Sequence, residues 1–237
     1  LHLSLEGNTI QSPVKHLLID EMQDYSPIQY KVISKLYPCR KTVLGDASQS
    51  VNPYGSSTAG MISKTFVTGE VMKLCKSYRS TYEITDFAQR IRSNDELEPV
   101  ERHGEKPEIY RFTNPEKEVA GIANLISTFK KSGYKSLGIV CKAELQAKET
   151  DLQLKKYTDE VYFLSNQSTA FVKGIIITSA HMAKGLEFDE VIIPQTDNKN
   201  YHSEIDRSML YVATTRAMHK LTLTYSGRKS ELLHNNT

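Results

Sequence analysis

The feature that most constrains this chain is a repeated alternation of short β-branched apolar runs with segments of helical period. The runs are Leu17–Asp20, Thr42–Gly45, Glu108–Phe112, Leu137–Cys141, Val161–Leu164, Gly174–Ser179, Val191–Pro194 and Leu221–Tyr225. Several are apolar almost without break, as strands covered on both faces are. Between them, Pro27 to Leu36 puts Ile28, Val32, Ile33 and Leu36 on one helical face, with Pro27 suited to the first turn. Helical patterns also span Ser80 to Ile91, Asn114 to Phe129, Ala143 to Tyr157 and Glu204 to His219. Such alternation predicts α/β layers, with parallel sheets flanked by helices. Irregular stretches fall at Asn52–Gly69, Ser93–Pro107 and Asp197–Asn200.

A chain of 237 residues holds one large or two modest domains, and 39% hydrophobic with 24% charged residues is ordinary for a soluble protein. No apolar run approaches bilayer length, so no membrane partner is expected and the expected location is the cytoplasm. The start, Leu1-His2-Leu3-Ser4-Leu5-Glu6, has neither an initiator Met nor a signal-peptide pattern, and the expectation is a segment of a longer protein. Cys39, Cys75 and Cys141 lack metal-ligand or disulfide-framework spacing and are read as reduced thiols. A net charge of +2 is too weak to announce nucleic-acid binding by field strength. That case rests on particular residues.

Five polar clusters supply them, most at the ends of apolar runs. Asp20-Glu21-Met22-Gln23-Asp24 follows the first run; a carboxylate there suits Mg²⁺, and its neighbour suits activation of water. Gly45-Asp46-Ala47-Ser48-Gln49-Ser50 follows the second, with Gln49 placed to sense a phosphate or its attacking water. Tyr78-Arg79-Ser80 offers an aromatic face and a guanidinium fork. Ser179 to Asp189 contains a Lys184-Gly185 turn whose amides can approach an anion, and Glu187, an acceptor for a ribose. Leu210 to Ala217 reads as helix, with Leu210, Ala213 and Ala217 on one face and Arg216 off it. Singly, each cluster reads more readily as an ordinary turn or surface side chain.

In this order the five resemble the superfamily 1 helicases of the Rep, UvrD and PcrA type over nearly the whole chain. Asp20–Asp24 resembles the DExQD box, Gly45–Ser50 the GDxxQS box and Tyr78–Ser80 the NYRS box. His181–Phe188 is similar to the HxxKGLEF core and Leu210–Ala217 to the YVAxTRA core. The resemblance implies a RecA-like P-loop NTPase fold, part of a first domain over 1–73 and a complete second over 74–237, with ATP between them. It implies Asp20 as the Mg²⁺ ligand, Glu21 as general base and Gln49 as the link between the γ-phosphate and nucleic acid. Tyr78 would stack on adenine, Arg79 and Arg216 would contact the γ-phosphate, and Glu187 the ribose, beside the Lys184-Gly185 turn. Tyr54, Ser179 and His181 would lie on the single-stranded DNA track.

The chain departs from that pattern in four ways. No G-x-x-x-x-G-K-[ST] occurs; Gly133-Tyr134-Lys135-Ser136 has the wrong spacing and place. Nineteen residues precede Asp20, so the phosphate-binding loop is expected upstream, and this stretch alone is expected to be inactive. The 102 positions from Arg79 to His181 leave no room for the large accessory domain of Rep-type enzymes. Asn52 and Tyr54 stand where two base-stacking aromatics are usual, at about 1–3 kcal/mol per stacked base. Ser179 replaces a usual Thr, and Tyr25-Ser26-Pro27 after the acidic box is closer to helicase IV-like and HelD-type proteins. The leading expectation is a DNA helicase or translocase motor; the alternative is an ATPase that remodels or recycles RNA polymerase.

Overall fold

The computed structural model describes residues 14–46, 49, 70–94, 97–168 and 173–233. Two compact units divide the chain at Leu74 and Cys75.

The first unit is built on β1 (His16–Ile19), α1 (Pro27–Leu36) and β2 (Arg40–Val43). The strands pair in parallel, His16 opposite Arg40 and Ile19 opposite Val43. Their ladder runs on as Leu44 N donates to Ile19 O and Met22 N to Leu44 O, both at 2.8 Å. Helix α1 starts where Ser26 and Gln29 form a reciprocal cap, with Pro27 in the first turn. Ile19 and Tyr30 form the buried centre, packed by Leu17, Met22, Tyr25, Ile33 and Val43.

The second unit contains α2 (Tyr82–Ile91), β5 (Glu108–Phe112), α3 (Pro115–Phe129), β6 (Leu137–Cys141), α4 (Glu144–Leu154), β7 (Val161–Phe163), β8 (Ile175–Ser179), β9 (Phe188–Ile193), α5 (Glu204–Thr214) and β10 (Ala217–Ser226). A two-residue pair, β3 (Lys76–Ser77) with β4 (Glu98–Pro99), lies beside them in sequence. Six strands form one parallel sheet in the order β5-β10-β9-β6-β8-β7. Alternate residues of each strand face opposite sides, which makes three layers. Val140, Ile176, Val191 and Ile193 pack with Ile84, Ala88 and Ile91 of α2 and Leu210 and Ala213 of α5. Leu137, Ile139, Ile175, Ile177 and Ile192 pack with Val119, Ile122 and Ile126 of α3 and Ala147 and Leu154 of α4. Central strands β6 and β8 are buried at every position, as their apolar runs predict. No helix among the described residues is long and apolar enough to cross a membrane.

The structure corrects some boundaries. Helix α5 ends at Thr214 rather than His219, and Ala217 opens strand β10. Leu210, Ala213 and Ala217 recur at three- and four-residue intervals across the junction, so helical counting carries past it. Strand β9 begins at Phe188, three residues before the expected Val191. The stretch Ser93–Pro107, expected to be irregular, contains β4. The expected loop Asn52–Gly69 lies outside the described residues.

Candidate functional site

In the first unit, β1 delivers Asp20 and Glu21, and β2 delivers Gly45 and Asp46. Glu21 is held at φ 53, ψ 50, a left-handed conformation that costs a non-glycine residue of order 1–3 kcal/mol. Asp20 Oδ1 accepts the Glu21 amide at 2.8 Å. Gln23 is fully buried, and its side-chain amide joins the two clusters. Nε2 donates to Glu21 Oε2 at 2.6 Å, while Oε1 accepts Asp46 N at 3.1 Å. Gln49 Nε2 then donates to Asp46 Oδ2 at 3.1 Å. A continuous hydrogen-bonded line therefore runs Glu21–Gln23–Asp46–Gln49. Gly45 is required for it: a Cβ there would stand 2.4 Å from Gln23 Oε1 and 2.6 Å from Met22 N. Tyr30 anchors the turn by donating its hydroxyl to Met22 O at 2.7 Å. Burial, with Tyr25 and Asp24 nearby, pushes that phenol up to about 12, so it donates at any physiological pH.

In the second unit three clusters converge. Arg79 Nε lies 2.6 Å from Glu187 Oε1. Ser80 Oγ donates to Ala217 O at 2.6 Å, and Phe188 N donates to Arg216 O at 3.0 Å. Phe188 pairs with Ala217 in the sheet, so Glu187 and Arg216, the residues just before them, sit where β9 and β10 begin. Ser179 lies at the other end of the sheet. It closes β8 opposite Cys141, the last residue of β6. Five strand residues at about 3.3 Å each put roughly 17 Å between the two edges. Asp20 and Ser179 thus lie at carboxy-terminal strand tips, whereas Arg79, Glu187 and Arg216 gather at the amino-terminal edge.

The segment from Ser179 to Phe188 connects those edges. Ser179 is buried, and its Oγ accepts Met182 N at 3.3 Å. His181 is exposed and Lys184 half-buried. Gly185 stands at φ +81, a left-handed turn that a side chain rarely adopts, between Lys184 and Leu186.

Two expectations are corrected and one falls outside the description. Arg216, expected off the buried face, is 1% exposed. Its Nε donates to Val212 O at 3.1 Å, Nη2 to Thr215 Oγ1 at 3.1 Å, and Nη1 reaches Leu186 O at 3.5 Å. The helix ends two residues earlier, so the chain turns and folds the guanidinium back over the last turn. Ala217 does not share a helix face with Leu210 and Ala213, being the first residue of β10. Tyr78 is 71% exposed, an open ring face. Tyr54 lies outside the described residues.

Residues 6–68 match the family model described as UvrD/REP helicase N-terminal domain, and residues 174–224 that of the UvrD-like helicase C-terminal domain. A solved structure, the C-terminal domain of a possible DNA helicase from Lactobacillus plantarum WCFS1, is 31% identical with a TM-score of 0.59, over 68% of this chain and 94% of that one. The chain belongs to the UvrD-like helicase family. The ATP-dependent DNA helicase srs2 of Schizosaccharomyces pombe is 35% identical over 91 residues, 36% of this chain and 10% of that protein. The ATP-dependent DNA helicase UvrD2 of Mycobacterium bovis is 28% identical over 141 residues, 52% of this chain and 20% of that protein. The chain spans about a third or less of the length of the curated relatives it matches. In a UvrD-like helicase, the six-stranded parallel sheet flanked by helices is the RecA-like layer arrangement.

Among the described residues of this UvrD-like chain, no three His, Cys, Asp or Glu side chains cluster to hold a metal by themselves. Magnesium at a nucleotide takes one or two carboxylates and completes its shell with phosphates and water. Asp20 fits that need: it is exposed, and one carboxylate oxygen holds the Glu21 amide while the other is left for a cation. Sequence reasoning passed over the bridging Gln23 as a site residue, although it stands inside the acidic box. It also passed over the Ser80 hydroxyl bond to Ala217, for which no local signal exists.

Proposed function

We propose that this chain is part of an ATP-driven motor of the superfamily 1 type that moves along single-stranded DNA, with ATP hydrolysed between its two RecA-like units. The observation that carries the reading is the 2.6 Å contact of Arg79 with Glu187 at the strand edge where Arg216 also stands. Two residues 108 positions apart, each given a nucleotide contact by the family resemblance, meet there.

In this reading Glu21 takes a proton from the water that attacks the γ-phosphorus, and the bond to the bridging oxygen breaks to release ADP. Asp20 would hold Mg²⁺, which neutralises charge on the phosphate oxygens. The line Glu21–Gln23–Asp46–Gln49 ties the base to the glutamine that senses the γ-phosphate. Tyr78 offers its open ring to the adenine, Glu187 accepts from the ribose, and the Lys184-Gly185 turn approaches phosphate. Arg79 stabilises charge on the transferring phosphoryl group, and Arg216, buried at 1% exposure, would have to leave Val212 O and Thr215 Oγ1 to join it. An arginine in that role is worth about 10³–10⁵ in rate. Ser179 and His181, with Tyr54, would follow the DNA strand. The short connection from Ser179 to Phe188 gives a mechanical route between nucleotide and strand, since it is tied at both edges of one sheet.

The relatives are DNA helicases, which favours DNA as the stimulating partner. The test is ATP turnover by the whole protein with and without single-stranded DNA. A marked rise with DNA is expected. Turnover indifferent to DNA, in a protein that co-purifies with RNA polymerase, would refute the translocase reading.

A further inference from the structure

We infer that Arg102 is a positioning residue for the arginine edge of the second unit, a role that rests on the proposed nucleotide contact of Arg79. Arg102 belongs to none of the five clusters and lies in a loop of exposed residues. Its Nη2 nevertheless donates to two carbonyls at once, Arg79 O and Met218 O, the second at 3.1 Å. Those carbonyls belong to the two chain segments that carry the arginines: Arg79 itself, and the residue two beyond Arg216. One planar guanidinium thus fixes the spacing of two backbones that are otherwise joined by Ser80 Oγ to Ala217 O and Thr81 N to Met218 O.

The loop that presents Arg102 is itself clipped down. Tyr82 N donates to Arg102 O at 2.8 Å, and Arg102 N to Val100 O at 2.7 Å. Glu83 grips the next two residues: Oε1 meets His103 Nδ1 at 2.9 Å, and Oε2 accepts Gly104 N at 2.8 Å. The bond from His103, then those from backbone amides, holds the Glu83 carboxyl below its ordinary value, so it stays ionised and gripping at neutral pH. Gly104 lets the loop close, since a Cβ there would stand 2.6 Å from Thr81 Cγ2. A surface arginine with no structural duty has no need of such a clip. With the Arg79 carbonyl pinned, the backbone from which its side chain reaches Glu187 is held in place, and in the proposed site the same pin would hold Arg79 within reach of a phosphate.

The test is a double-mutant cycle in the whole protein, reading kcat and KM for ATP together with the thermal midpoint. Arg102→Ala is expected to lower kcat about tenfold or more, with the melting midpoint nearly unchanged because the side chain is exposed. In an Arg79→Ala background the same change is expected to add less than about twofold, because its effect passes through Arg79. Arg102→Lys, which keeps one cationic nitrogen that can donate to both carbonyls but on a differently shaped stem, is expected to recover part of the loss. Losses that multiply in the double variant, or wild-type kcat in Arg102→Ala when Arg79→Ala is impaired, overturn the positioning role alone. Wild-type turnover in Arg79→Ala overturns the nucleotide reading beneath it.

Discussion

Arg79 Nε stands 2.6 Å from Glu187 Oε1 while both side chains stay open to solvent, 36% and 43% exposed. An ion pair so wetted contributes about 0–1 kcal/mol, and its weakness suits its place. A phosphate carries more charge than a carboxylate and accepts the guanidinium fork in two bonds. In the proposed site Arg79 would therefore exchange Glu187 for a γ-phosphate at little cost, and the released carboxylate would accept from a ribose.

Glu187→Ala follows from that exchange. The variant is expected to unfold within about 1 kcal/mol of the parent. Its KM for ATP is expected to rise several-fold, toward the tenfold that corresponds to about 1.4 kcal/mol of lost binding. Thermal melts and steady-state kinetics on the whole protein check both halves.

Glu21→Gln keeps the shape of the proposed base and removes its proton affinity. Turnover is expected to vanish while ATP still binds, read by a fluorescent nucleotide and by phosphate release. A variant that hydrolyses ATP at the parent rate would show that another group activates the water.

Gln23→Leu removes a buried bridge. Glu21 Oε2 loses a donor, and Asp46 N loses its acceptor at 3.1 Å. A loss of about 1–3 kcal/mol is expected, seen as a lower urea midpoint, together with reduced turnover if the proposed base Glu21 and sensor Gln49 act through this tie. An unchanged midpoint would mean that the bridge contributes nothing.

Arg216 differs from the other arginine in burial, and its variant should differ accordingly. At 1% exposure with its guanidinium on Val212 O and Thr215 Oγ1, Arg216→Ala is expected to cost about 2–4 kcal/mol as well as turnover. The sequence pattern suggests an exposed arginine and a stability-neutral change. Unfolding curves that overlay the parent's would restore that view.

Asp206 sets an acid limit. Burial alone would raise its carboxyl, but Lys142 at 2.6 Å and the amides of Ser203 and His202 outweigh it and bring the group from 3.8 down to about 2. A pKa lower in the folded than in the unfolded chain gives stability that is complete above about 4 and fades as pH falls toward 2. The contribution is about 2 kcal/mol at neutral pH. Lys142→Met is expected to lower the unfolding midpoint above pH 4 and to flatten its fall between pH 4 and 2.

Much of this was legible in local order. Glu108–Phe112, Leu137–Cys141 and Pro27–Leu36 were read to the residue, because strand period, apolar run and cap are properties of neighbours in the chain. The helix overrun past Thr214 has the same origin: an apolar residue at the right interval looks alike whether it continues α5 or opens β10. The five clusters were legible as residue types in order, and that order carries the family. Gln23 was visible in the acidic box but its duty was not, since its partner Asp46 is 23 positions away.

By itself, then, the amino-acid order determined the layers, the parallel strands, the helix starts and the identity of the chemical groups. Only the tertiary structure decided that Arg216 is buried, that Arg79 meets Glu187, and that Arg102 spans Arg79 O and Met218 O. The reason is one of range. Periodicity and capping depend on residues a few positions apart, whereas a carbonyl becomes an acceptor for a distant guanidinium only when sheet register brings β9 beside β10 and the loop after β4 down onto both segments.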